Sequence, residues 1–85
     1  MKTEDVLRKA ADTVEERRGS YGDTKKFFDS VAQHLNFLGY HLTPVEIIDV
    51  LRTIKAHRLT DNPNHLDSLI DLVAYTAMLG EWLDD

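Results

Sequence analysis

The chain has 85 residues, 42% of them hydrophobic and 29% charged, which fits one globular domain and leaves no room for a second. Ten basic against fifteen acidic residues give a formal charge of −5, which argues against general binding to nucleic-acid backbones. The lack of cysteine excludes disulfide frameworks, thiolate metal sites and cysteine nucleophiles. A chain this short buries only about 60–65% of its unfolded surface, so its own core is marginal and a homo-oligomer is expected. The longest nearly uncharged stretch, Leu72 to Gly80, is too short to span a bilayer, and the acidic start Thr3-Glu4-Asp5 is unlike a signal peptide. A cytosolic protein without membrane association is the expectation.

Caps and periodicity predict four helices. The first spans Glu4 to Arg18, with Thr3 as N-cap and a stop at Gly19, and gathers Val6, Leu7, Ala10, Ala11 and Val14 on one face. The second follows Gly19-Ser20-Tyr21-Gly22, is capped by Asp23 or Thr24, and ends at Gly39, with Phe27, Phe28, Val31, Leu35 and Leu38 as its apolar stripe. The third starts at Thr43-Pro44-Val45-Glu46, a capping box with proline at the first helical position, and reaches about Leu59. Thr60 to Asn64 forms a polar connection, and a fourth helix runs from about His65 to Leu83. With no strand pattern or repeat to compete, the fold class is all-α, a compact four-helix bundle over residues 1–85, completed by oligomerisation.

Charge sits in unexpected places on the last two helices. On the third, Ile47, Ile48, Val50, Leu51, Ile54 and Leu59 form an apolar arc that also takes in Lys55 and Arg58, so both cations are expected to face the interior. On the fourth, Leu66, Leu69, Ile70, Val73 and Ala77 make one stripe, and Leu72, Met78, Leu79 and Trp82 carry hydrophobicity around the rest. Asp67 and Asp71, at i and i+4, therefore share a helix face with little solvent to offer, and buried carboxylates need cations, metal or hydrogen-bond donors. The short connection makes the two helices antiparallel neighbours and brings the opposite charges together. Two readings stay open: an ion-pair network that fixes the hairpin, or a site in which the acids hold Mg²⁺ and the cations take phosphate oxygens. The loop Arg18-Gly19-Ser20-Tyr21-Gly22-Asp23 adds either a donor-rich cradle for an anion or a plain turn with Tyr21 plugging the core. No histidine pair has zinc-ligand spacing, and Ser20 and Ser68 lack a nucleophile motif.

In order, Arg18-Gly19-Ser20-Tyr21-Gly22-Asp23, Lys55-Ala56-His57-Arg58-Leu59 and Asn62-Pro63-Asn64-His65-Leu66-Asp67-Ser68-Leu69-Ile70-Asp71-Leu72-Val73-Ala74-Tyr75 resemble the RGxxYGD … KxxR … NPxHxDxxxDxxxY pattern of small proteins common in phages and prophages. That pattern is in turn similar to all-α NTP pyrophosphatase (MazG-like) domains, helical oligomers that bind Mg²⁺ on acidic faces and cleave nucleoside triphosphates to monophosphates and pyrophosphate. The resemblance implies metal-binding roles for Asp67 and Asp71 with Glu16, and phosphate or nucleotide contacts from Lys55, Arg58, Arg18, Tyr21, Asp23 and Tyr75. The chain departs from the pattern at Arg17, where a Glu is common, and it has one clear acid pair where the pyrophosphatases use two. The functional expectation is nucleotide-phosphate handling in the cytoplasm, the host's for a phage-encoded chain, with Mg²⁺-dependent NTP pyrophosphohydrolysis as its catalytic form. Its alternatives are a non-catalytic protein that sequesters a nucleotide or cyclic nucleotide, and a helical adaptor whose partner is a host protein.

Overall fold

A computed structural model describes residues 1–83. Four α-helices follow one another, α1 (Thr3–Tyr21), α2 (Thr24–Phe37), α3 (Pro44–Asp61) and α4 (Leu66–Met78), and a 3-10 turn, Leu79–Trp82, closes the chain. There is no strand among the described residues. The bundle measures 41 × 28 × 26 Å. Its fourth helix lies between α3 and α1, and α2 packs on α3 and touches α1.

Local chemistry sets the helix ends. Asp5 accepts a hydrogen bond from the Lys2 backbone N–H at 3.2 Å, so α1 starts at Thr3 and not after a Thr3 cap. The helix also runs through Gly19, where a stop was expected, and ends at Gly22, whose φ of 77° and ψ of −146° lie in a region nearly reserved for glycine. The extra turn carries Tyr21 to within 5.0 Å of the Phe27 ring. Asp23 then caps α2 by accepting from the Lys26 N–H at 2.9 Å. At the far end of α2, Gly39 (φ 97°) sends its N–H to the Asn36 carbonyl while Tyr40 sends its own to Leu35, the two bonds of a Schellman motif.

The expected capping box at Thr43 and Glu46 is present in both directions, and Pro44 opens α3. That helix continues two residues beyond Leu59, to Asp61. His65 caps α4 through Nδ1, which accepts from the Ser68 N–H and lies 2.7 Å from the buried Ser68 hydroxyl. The α-helix then tightens to 3-10 geometry one residue before Gly80.

Two small apolar clusters hold the helices. Phe28, Ile47, Ile48 and Met78 form one, with Leu51, Tyr75 and Trp82 packed against it. Ala10, Ile70 and Ala74 form the other, and Val14 packs against both. The breadth of apolar surface on α4 has an intramolecular cause, since α1 and α3 cover it from two sides. Met78 is buried and Trp82 packs edge-on to Phe28 at 6.4 Å, so much of the hydrophobic C-terminal end turns inward.

No helix among the described residues is long and apolar enough to cross a membrane.

Candidate functional site

The packing of α4 between α1 and α3 brings charge from all three helices to one point. Asp71 of α4 accepts from Arg17 Nη2 on one carboxylate oxygen at 3.1 Å and pairs with Lys55 Nζ through the other at 3.0 Å. The side chains of Arg17, Lys55 and Asp71 are 29%, 19% and 17% exposed, so the pairs are only partly screened by solvent. One turn along α4, the Tyr75 ring lies 5.1 Å from the Arg17 guanidinium carbon, within cation–π range. Arg17 Nη1 is buried and finds no acceptor among the described residues. An unpaired buried donor of this kind costs about 1–3 kcal/mol, and more where it is charged.

Beside this network opens a cleft of about 280 Å³. Arg17 and Arg18 form its cationic part. Tyr21, Phe27, Phe28 and Tyr75 supply aromatic walls, with Leu51 and Met78 at the apolar end and Gly22 and Thr24 where α1 turns into α2. The chain's reversal at Gly22 therefore does more than link two helices: it places the Arg18 and Tyr21 end of α1 against the aromatic start of α2.

The residues singled out from the sequence divide into two groups. Lys55, Asp71, Tyr75, Arg18 and Tyr21 gather in the network or around the cleft. Arg58, Asp67 and Glu16 are exposed and have no partner in the network. The interior placement expected for Arg58 is corrected by the rotation of α3. Its covered face runs through Ile48, Leu51 and Lys55, while Val50 and Ile54 are 50% and 47% exposed, and Arg58 follows Ile54 by one turn. Asp67 sits in the first turn of α4, where a carboxylate is favoured by the helix dipole without burial. Asp23 is engaged as the α2 cap and does not line the cleft.

Arg17 is the residue that reading from the sequence missed, having noticed it only as a departure from a motif. The signal was present, because positions 10, 14, 17 and 21 recur at four-, three- and four-residue steps, which puts Arg17 and Tyr21 on the buried stripe of Ala10 and Val14.

The acids do not form a ready cage for Mg²⁺. Both Asp71 oxygens face cations, Asp67 and Glu16 lie outside the network, and among the described residues no three His, Asp or Glu side chains come together. A divalent ion at Asp71 would have to displace Lys55 or Arg17, whereas a ligand anion meets Arg17 and Arg18 directly.

Set against known proteins, residues 5–83 match the family model described as Domain of unknown function (DUF6378), a span that includes every residue of the network and the cleft. No curated protein and no solved structure matches the chain.

Proposed function

The chain belongs to the DUF6378 family, and from that premise we propose that it binds a small nucleotide-type anion in the cleft between α1, α2 and α4. One observation carries this reading: two arginines and four aromatic rings line the same 280 Å³ space. Guanidinium groups suit phosphate oxygens through paired donors, and aromatic walls suit a planar base. Arg17 is held in place by Asp71 and Tyr75, so its donors are oriented before the ligand arrives and less side-chain entropy is lost on binding.

The geometry favours binding over metal-dependent hydrolysis, because the acid pair needed for Mg²⁺ is divided between an ion-paired Asp71 and an exposed Asp67. The discriminating experiment is a thermal-shift panel of nucleotides with Mg²⁺ and with EDTA, followed by assay of any pyrophosphate released. A ligand at 100 times its Kd adds about 2.7 kcal/mol, which for a domain of this size raises Tm by about 10–20 °C. Arg18→Ala, at an exposed position, is expected to lower affinity about tenfold or more while leaving Tm nearly unchanged. Absence of a shift with every nucleotide at millimolar concentration would overturn the reading, and Mg²⁺-dependent pyrophosphate release would replace it with the hydrolase.

We also propose a second copy of the chain as partner, in a cytoplasmic setting. Its support is the set of large apolar side chains that the bundle leaves outside: Phe37, Leu38 and Tyr40 at the α2–α3 turn are 88%, 59% and 61% exposed. Light scattering should give at least twice the 9.7 kDa chain mass, and Phe37→Asp should reduce it to that of one chain if the turn is the interface. A monomeric mass for the unaltered protein would reject the proposal.

A further inference from the structure

Resting on the nucleotide reading above, we propose that the ligand is a nucleoside monophosphate, a dianionic phosphomonoester carrying one planar base, and not a triphosphate. The argument begins with charge. Arg17 and Lys55 share the single carboxylate of Asp71, which leaves one net positive charge in the network, and Arg18 on the cleft wall supplies a second. A phosphomonoester bears about −1.5 to −2 at neutral pH and is matched by this pair. A triphosphate brings roughly twice that charge, and its surplus would need a divalent ion or further cations.

The remaining cations do not fill that need. Lys55 does not line the cleft, and its amine is committed to Asp71 at 3.0 Å. Arg58, which a triphosphate reading would recruit, is exposed on the α3 face that carries Ile54 and does not line the cleft either. The acids offer no substitute through Mg²⁺, since no three of the described His, Asp or Glu side chains converge.

Size agrees with charge. At about 280 Å³ the cleft lies at the lower limit of small-molecule sites, which run from about 300 to 1,000 Å³. That space suits one base, its sugar and one phosphate. The arrangement also assigns ends: phosphate toward Arg17 and Arg18, base toward Tyr21, whose ring is 60% exposed and braced from behind by Phe27 at 5.0 Å. Phe28 is buried and serves as floor.

The test is calorimetry in EDTA with matched series of nucleoside, monophosphate, diphosphate and triphosphate on each common base, and with inorganic phosphate alone. The monophosphate of at least one base is expected to bind tenfold or more tightly than its nucleoside and than phosphate, and the triphosphate no more tightly than the monophosphate. Tyr21→Ala should weaken the monophosphate about fivefold or more and leave the affinity for phosphate alone unchanged. A triphosphate that binds more than tenfold tighter than its monophosphate would sink the inference and leave the nucleotide site standing. Phosphate binding equal to the monophosphate, or a Tyr21→Ala protein with full affinity, would also sink it. Failure of every nucleotide to bind would remove the underlying reading as well.

Discussion

Replacing Asp71 with alanine is expected to cost about 2–4 kcal/mol, because it strands two part-buried cations at once. Arg17 and Lys55 come from different helices, and each faces a different oxygen of the same carboxylate. Without that carboxylate their mutual repulsion acts at the centre of the α1–α4–α3 packing. A domain of this size has only about 4–13 kcal/mol of total stability, so the loss is a large fraction of it. Asp71→Asn keeps an acceptor and should cost less. Lys55→Met should cost less still, since Asp71 stays paired with Arg17. Replacing all three residues with apolar ones of similar volume should recover most of the loss, because a buried ion network is worth little more than a packed apolar one. Urea denaturation of the five proteins gives the comparison directly. A loss under 1 kcal/mol for Asp71→Ala would mean that the network is solvated and has no structural role.

Phe28→Ala is expected to be at least as damaging, at about 3–5 kcal/mol. Phe28 is 6% exposed, meets Phe27 edge-on at 5.3 Å and Trp82 at 6.4 Å, and packs with Ile47, Ile48 and Met78. Its removal leaves a void that the backbone of α2, anchored by the Asp23 cap and the Schellman turn, cannot close. Phe28→Leu fills most of the space and should cost about 1–1.5 kcal/mol. The pair therefore separates cavity cost from loss of aromatic contact. Because Phe28 also forms part of the cleft, the alanine protein should admit a larger ligand wherever it remains folded. Equal denaturation midpoints for the alanine and leucine proteins would contradict the packing argument.

The sequence carried much of this architecture in its punctuation. Thr43, Pro44 and Glu46 specify a helix start through backbone donors that only nearby residues can satisfy, and that element is found where they place it. Gly19 misled because a glycine weakens a helix by only about 1 kcal/mol, less than the stacking and burial gained by carrying Arg17 and Tyr21 onward. The pairing of Lys55 with Asp71 was legible, since both break the apolar pattern of helices joined by a short connection. Arg58 and Asp67 were not separable from them by wheel position alone. Which side of α3 is covered depends on where α4 and α2 settle, a tertiary choice that shifted the covered arc toward Ile48, Leu51 and Lys55. The cleft itself was invisible for a similar reason: its walls come from residues far apart in sequence, joined only when Gly22 reverses the chain.

The arrangement of the three charged helices also implies an order of assembly. Lys55 and Asp71 are sixteen residues apart across one turn, whereas Arg17 and Asp71 are separated by 54. Closing the longer separation costs about 1 kcal/mol more in chain entropy, and α1 contributes a single fully buried apolar side chain, Ala10, to repay it. The α3–α4 hairpin is thus the element that forms early, and α1 is the last to dock and the first to lift away. Since α1 carries Arg17, Arg18 and Tyr21, the cleft exists only while that helix is seated. A ligand that touches these side chains fastens the helix, so occupancy and the closing step of folding are one equilibrium.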